Sequence, residues 1–246
     1  MDMPVETQPT EQQLRRQLTD FYHLVTHLGW SEMIFNHISV RVPGPEHHYL
    51  MNPFGLLYEE ITPENLIKVG IDGKLVEESP YPGNPAGFAL HGVIHEHRPD
   101  VTCVAHTHTN PVSAIATRKE GISHNNFYGA QLYGRVGYHD FEGITLYDDE
   151  RDRMLASLGN ANVLVLRNHG IAVCERSVSA TFMLLWTVQR AAEIQCMGSG
   201  GGEENELSDI VKQRCADDAT RLATSGRFSE MVFDAAVRRM RAEQAR

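Results

Sequence analysis

Apolar side chains near the start of the chain recur at three- and four-residue intervals. The spacing of Leu14, Leu18 and Phe21 predicts an amphipathic helix, and a capping box at residues 10–13 would begin it. Similar helical patterns occupy residues 88–97, 110–117 and 177–197, a segment after residue 148 and much of residues 206–244. A threonine directly before proline at residues 62–63 is typical of a helix start, so we expect a further short helix there.

Short runs with strand character separate these helices. They cover residues 38–42, 49–51, 101–108, 135–138, 144–146, 163–166 and 171–174. Residues 80–87 are rich in proline and glycine and are expected to form an ordered loop. The mixture of strands and helices predicts an α/β domain at residues 10–200. A helical tail at residues 201–246 follows the glycine-rich break at residues 198–202.

The charge balance narrows the choice of partners. A formal net charge of −10 would repel nucleic acid phosphates and anionic lipid, and no basic cluster overrides it. No apolar run approaches the roughly 18 to 20 residues that a membrane span needs, and residues 1–10 carry no apolar signal segment. The four cysteines occur without a C-x-x-C pair, which favours reduced thiols. We therefore expect a cytoplasmic protein that acts on a small molecule, not on nucleic acid or a membrane.

Three of the thirteen histidines have a spacing that suits a metal site. His106 and His108 lie two residues apart at the end of an apolar strand, so both imidazoles would face one point. His169 follows a second apolar strand and would complete a set of three ligands with an open position, as in catalytic metal sites. Imidazole suits zinc, manganese, iron, cobalt or nickel. The alternative is a chance pair of histidines that form hydrogen bonds in a core.

Seven short motifs occur along the chain in a recognisable order. They are residues 35–41 (FNHISVR), 51–55 (MNPFG), 84–91 (NPAGFALH), 98–101 (RPDV), 106–108 (HTH), 138–143 (YHDFEG) and 167–170 (RNHG). On these motifs, residues 10–200 resemble the class II aldolase and adducin family, in its adducin-like bacterial branch.

The resemblance implies a fold, an assembly and a set of ligands. The fold is α/β, with three α/β/α layers around a central, mainly antiparallel sheet. The assembly is a homotetramer whose sites lie between neighbouring subunits. The resemblance makes His106, His108 and His169 the ligands of a divalent metal, with zinc as the first expectation.

The chain departs from the sugar-phosphate aldolases of this family at their substrate site. A Ser-Ser-Glu run of those enzymes is replaced by residues 85–87 (PAG), so Gly87 stands in place of the acid/base glutamate. Their phosphate-binding Thr-Gly becomes residues 54–55 with Gly55 retained, and their Gly-Asn becomes Asn36 followed by His37. Asn36, Gly55 and Gly87 are thus the expected substrate-binding positions. Phosphate needs hydrogen-bond donors or cations, and the side chains of Phe54, Pro85 and Ala86 supply none, so a phosphorylated sugar is disfavoured.

The missing glutamate raises the question of which group moves protons. His37 is the first candidate, followed by His91 and by Tyr128, which falls near a position where the aldolases use a tyrosine from the adjoining subunit. The alternatives are structural hydrogen bonds for the two histidines and an ordinary half-buried ring for the tyrosine.

These observations predict a metal-dependent lyase, either an aldolase or a decarboxylase, for a small unphosphorylated hydroxy or oxo acid. Decarboxylation fits well because carbon dioxide leaves without prior removal of a proton, and a metal stabilises the remaining charge. Two other functions stay open. One is a non-catalytic interaction module like the cytoskeletal adducin head, and the other is an Fe(II)-dependent oxygenase.

Overall fold

The described part of the chain is built around one mixed sheet. The computed structural model describes residues 8–144, 148–224 and 227–246. Within them the strands are β1 (His37–Arg41), β2 (Tyr49–Met51), β3 (Ile67–Val69), β4 (Cys103–Thr107), β5 (Val136–His139), β6 (Val163–Leu166) and β7 (Gly170–Glu175). Their order across the sheet is β3-β2-β1-β4-β7-β6-β5. Only β5 and β6 run parallel, so the mainly antiparallel sheet is confirmed.

The α-helices of the described residues are α1 (Glu11–His27), α2 (Pro85–His97), α3 (Asn110–Ala116), α4 (Phe127–Ala130), α5 (Arg151–Leu158), α6 (Val178–Gly198), α7 (Asp209–Thr224) and α8 (Arg227–Gln244). The predicted capping box of α1 is present, since the Thr10 side chain accepts from the Gln13 amide and the Gln13 side chain accepts from the Thr10 amide. α2 begins earlier than expected, because Asn84 caps it and Pro85 occupies its first turn. The expected loop is therefore wrong over residues 85–87.

Helices cover both faces of the sheet. Val163 and Val165 of β6 face a core that includes side chains of α1, α3, α6 and α8. Leu164 and Leu166 of the same strand face a second core formed with α2 and α5. This alternation explains why the strand is apolar throughout, and it confirms the three-layer α/β/α fold.

Two smaller expectations have other outcomes. Thr62 and Asn65 exchange side-chain-to-amide hydrogen bonds as a helix start would, but the residues form a turn. The predicted short helix is wrong: residues 63–65 form only a turn, and the chain becomes extended at Ile67, where β3 begins. The strand predicted at residues 144–146 falls largely on residues 145–147, which lie outside the described part of the chain.

The C-terminal segment contributes to the main core. The Phe233 ring of α8 makes edge-to-face contacts with Phe21 of α1 and Phe182 of α6, at centroid distances of 6.4 and 5.6 Å. The division of the chain at residue 200 stays a prediction. In residues 8–144, 148–224 and 227–246, no helix combines the length and apolar character that a bilayer crossing requires.

Candidate metal centre

Three imidazoles converge at one end of the central strands. His106 lies near the end of β4, His108 follows that strand, and His169 occupies the turn between β6 and β7. The centroids of the three rings are 4.5 to 5.0 Å apart, and one nitrogen from each lies within 4.8 Å of the others. The structure therefore brings together the three residues that the sequence suggested as ligands.

Hydrogen bonds determine which nitrogens of these rings carry lone pairs. His106 Nδ1 donates to the Ile171 carbonyl oxygen at 2.8 Å, and His108 Nδ1 donates to the Glu32 carboxylate at 2.8 Å. Neither acceptor can return a proton, so in the neutral rings both Nε2 atoms carry lone pairs. These two atoms face each other at 2.6 Å. Two lone pairs so close repel unless a proton or a cation lies beside them, which fits a divalent metal.

The backbone around His169 is specialised for this position. Asn168 has a φ of +59°, a conformation that asparagine tolerates better than most residues. A Cβ atom at Gly170 would lie 2.5 Å from the Thr107 carbonyl oxygen and 2.8 Å from His108 Cδ2. Only glycine allows β7 to approach β4 so closely beside the imidazoles. This explains why the motif reads Asn-His-Gly.

The environment keeps the imidazoles of His106 and His169 neutral. Burial lowers the pKa of His106 well below the usual range, and the neighbouring His108 adds to the effect. Burial and His108 together lower the pKa of His169 to about 4. At neutral pH protons therefore compete weakly for these rings, which favours metal binding.

Glu32 is a site residue that the sequence analysis missed. It lies 76 positions before His108, outside any strand or helix, and no local pattern marks it. Its carboxylate fixes the tautomer and orientation of His108, the arrangement that commonly supports a histidine ligand.

We expect Glu32→Ala to weaken zinc binding roughly 10- to 100-fold, because His108 would lose the acceptor that orients it. Competition with a chromophoric zinc chelator measures the change. Glu64→Ala is the matched control, since it removes an exposed carboxylate elsewhere. Equal zinc affinity in the two variants would contradict a role for Glu32.

A second group of histidines extends from the site into the protein. His37 stacks on His106 with a centroid distance of 4.9 Å. His37 Nδ1 lies 2.7 Å from His91 Nε2, and His91 Nδ1 lies 2.5 Å from Ser39 Oγ. Ser39 Oγ lies 2.7 Å from His95 Nε2, and the buried His95 Nδ1 has no partner. The four side chains form one continuous hydrogen-bonded chain, here called the histidine relay.

The relay combines two spacings that were visible in the sequence. His91 and His95 share a face of α2, and His37 and Ser39 share a face of β1. A pair of histidines four residues apart on a helix is often no more than a polar stripe, and only the contacts with Ser39 join the two spacings. Burial lowers the pKa of His91 well below its usual range and that of His95 to about 3, so the relay is neutral.

Of the other expected site residues, some line the cavity and others do not. Asn36 and His37 line the cavity beside the three imidazoles. Gly87 lies behind His37, and Gly55 is not among the lining residues although Phe54 is. Tyr128 packs against the core on α4 and does not line the cavity of its own chain. Its catalytic role stays a prediction that requires an adjoining subunit.

Comparison with known proteins identifies the family. A family model described as "Class II Aldolase and Adducin N-terminal domain" matches residues 16–196. The chain is 42% identical over 203 residues to a Pseudomonas aeruginosa protein assigned by name to aldolase class 2, covering 82% of this chain and 78% of the relative. The chain therefore belongs to the class II aldolase and adducin family.

Other similar proteins include an adducin and two proteins of solved structure. Alpha-adducin of Rattus norvegicus is 40% identical over 200 residues, covering 79% of this chain but 27% of that protein. The crystal structure of an aldolase II superfamily protein from Pseudomonas syringae has a TM-score of 0.90 at 34% identity, covering 97% of this chain and 96% of that one. L-fuculose 1-phosphate aldolase from Glaciozyma antarctica shares the fold, with a TM-score of 0.84 at 20% identity and coverage of 98% and 96%.

Proposed function

We propose that this protein is a metal-dependent carbon–carbon lyase for a small unphosphorylated oxo or hydroxy acid. The observation that carries the proposal is the pair of opposed Nε2 lone pairs of His106 and His108, 2.6 Å apart. A cation held there and by His169 would retain open positions. Zinc is the first choice, and manganese, iron, cobalt and nickel are the alternatives. When bound, such an ion draws negative charge from substrate oxygens as a bond breaks.

The start of α2 argues against a phosphorylated substrate. Asn84, Pro85 and Ala86 line the cavity at a place where a helix N-terminus would otherwise offer amide protons to phosphate. Pro85 has no amide proton, and the Ala86 amide donates to the Asn84 side chain at 3.1 Å. The first turn thus has few donors left for an anion.

His37 is the candidate that replaces the missing glutamate. A Cβ atom added at Gly87 would lie 3.3 Å from the His37 ring and 2.9 Å from Met51 Cε. The imidazole therefore occupies space into which a side chain at position 87 would extend. This position beside the three imidazoles supports proton transfer by His37.

The relay favours one protonation pattern of His37. If His95 Nδ1 carried a proton, a buried N–H group would have no acceptor, which is more costly than an unused lone pair. The favoured pattern has His95 donating to Ser39, Ser39 to His91, and His91 to His37 Nδ1. His37 then presents an Nε2–H group, for which the described residues provide no acceptor.

This pattern supports decarboxylation over retro-aldol cleavage. The bond between the substrate carbon and its carboxylate breaks, and carbon dioxide leaves. The electron pair stays on the substrate as an enolate, and His37 Nε2–H returns a proton to carbon. The transfer leaves His37 as an imidazolate, which takes a proton from water and releases hydroxide. His91 holds His37 in position, while Asn36 contacts substrate and Gly55 and Gly87 shape the backbone around it.

The assembly and location belong to the same proposal. Phe35, Phe127 and Ile144 are large apolar side chains that are 50, 70 and 72% exposed. A homotetramer that brings Tyr128 of one subunit to the site of another would cover surfaces of this kind. The cytoplasmic location expected from the sequence stays a prediction.

We expect the zinc-loaded protein to release carbon dioxide from 2-oxo acids that bear a second carboxylate on C3. The His37→Ala variant should retain zinc but turn over roughly 10²- to 10⁴-fold more slowly, because the proton donor is lost. Coupled assays for carbon dioxide, for aldehydes and for oxygen consumption separate the decarboxylase, the aldolase and the oxygenase. His97→Ala, on an exposed ring, is the control. No turnover with any of the five metals would contradict the proposal.

A second candidate function is an interaction module, favoured by the 40% identity to alpha-adducin. It would not need the imidazoles. If the triple variant of His106, His108 and His169 to alanine folds and keeps the protein's partners and cellular role, the module is correct and the lyase is wrong.

A further inference from the structure

Apart from its histidines and two asparagines, the cavity beside the imidazoles is lined by apolar residues. Its volume is about 300 Å³, enough for a small ligand. The apolar lining residues are Phe35, Phe54, Pro85, Ala86, Leu90, Ile144 and Leu166. None of its lining residues in the described ranges is a lysine, arginine, aspartate or glutamate. A ligand in this cavity would therefore meet no counter-ion for a remote charged group.

Arg167 is the cationic residue nearest to His169 in the sequence, and its guanidinium makes contacts outside the cavity. Arg167 precedes the ligand motif, but its Nη1 atom is directed to the carbonyl oxygens of Arg118 and Lys119 at 3.1 and 3.4 Å. Its guanidinium also lies over the Tyr138 ring, 4.8 Å from the centroid. The contacts hold this charge away from the cavity.

Two asparagines are the polar exceptions in these walls, and Asn36 differs from Asn84, whose side chain accepts a hydrogen bond from the Ala86 amide. The Asn36 side chain is 2% exposed, and neither its amide nitrogen nor its amide oxygen has a hydrogen-bond partner. Its φ of +67° is a conformation that few side chains adopt without strain. A buried amide with both atoms unpaired is rare, and its place in the cavity wall indicates that a ligand supplies the partner.

We propose that the cavity has a subsite for the end of the substrate remote from the imidazoles, and that this end is apolar. The substrate is then an oxo or hydroxy acid that carries an alkyl or aryl substituent in addition to the carboxylate that leaves as carbon dioxide. Asn36 pairs with one of its oxygens, and Phe35, Phe54 and Ile144 contact the substituent. The inference rests on the proposed function and adds the substrate class to it.

Three acids that share the 2-oxo acid head and differ in the group on C3 test the subsite. They are pyruvate, phenylpyruvate and phosphonopyruvate, titrated by calorimetry into the zinc-loaded protein. We expect phenylpyruvate to bind at least about tenfold more tightly than pyruvate, because its ring leaves water for the apolar wall. Phosphonopyruvate should bind no better than pyruvate, because its phosphonate would lose water without gaining a counter-ion.

Variants of Phe54 and Asn36 test whether these residues cause the binding preference. Phe54→Ala should remove the preference for phenylpyruvate and leave pyruvate binding unchanged, whereas Phe228→Ala on α8 is the matched control that preserves the preference. The Asn36→Gly variant tolerates the positive φ. It should weaken the binding of all three acids about tenfold, because the side-chain amide is lost. Equal affinities for pyruvate and phenylpyruvate, or a preference for phosphonopyruvate, would overturn the subsite alone. If none of the three acids binds, the proposed function is overturned with it.

Discussion

Replacing His106 by alanine is expected to reduce the zinc content from about one equivalent per chain to less than about a tenth. His106 is the most enclosed of the three imidazoles. Its Nδ1–H group donates to the Ile171 carbonyl oxygen, which leaves the Nε2 lone pair in position to bind a metal ion. Without it, His108 and His169 offer two ligands instead of three. A site with two ligands from the protein holds zinc far more weakly.

The measurement is elemental analysis of protein purified without a histidine tag and dialysed against metal-free buffer. His97→Ala is the control, because His97 is exposed at the end of α2 and lies outside the cluster. Circular dichroism verifies that each variant is folded. An unmutated protein with less than a tenth of an equivalent, or a His106→Ala variant that retains the full equivalent, would rule out the metal centre.

The metal-free protein is expected to lose stability steeply as the pH falls below about 6.5. Burial lowers the pKa of His91 well below its usual range and that of His95 to about 3. The unfolded chain protonates these rings near pH 6.5, while the folded chain keeps them neutral to lower pH. Below pH 6.5 the unfolded state therefore binds more protons, and acid favours unfolding.

The size of the effect follows from the number of such rings. Each lowers the free energy of unfolding by up to about 1.4 kcal/mol per pH unit below 6.5, so His91 and His95 together lower it by roughly 3 kcal/mol per unit. Urea unfolding at pH 7.5, 6.5 and 5.5, with a chelator present, measures the slope. The double variant His91→Gln and His95→Gln should show a smaller slope. An unchanged slope in that variant would mean that these rings do not cause the acid sensitivity.

The candidate ligands were predictable because their signal is local. His106 and His108 are two residues apart on one strand, so strand periodicity alone places both imidazoles on one side. His169 required one further step, since it follows an apolar strand whose neighbours in the sheet could not be known from spacing. The family motifs supplied that step, and the pairing of β4 with β7 explains it.

The parts that were not predictable depend on long-range contacts. Glu32 reaches His108 across 76 positions, and Ser39 joins His91 and His95 only because β1 packs against α2. The early start of α2 was missed for a different reason. Residues 80–87 carry the proline and glycine content of a loop, yet one proline at the first turn is compatible with a helix capped by Asn84.

By itself, the sequence determined the α/β class, the family and the three imidazoles, because periodicity and short motifs are properties of neighbouring residues. Only the tertiary structure decided which imidazole nitrogens carry lone pairs, how His37 joins a buried relay, and that the cavity lining in the described residues lacks a counter-ion. Those features depend on distances between atoms far apart along the chain, and hydrogen bonds act only over about 3 Å. A pattern along the sequence contains no measure of such distances.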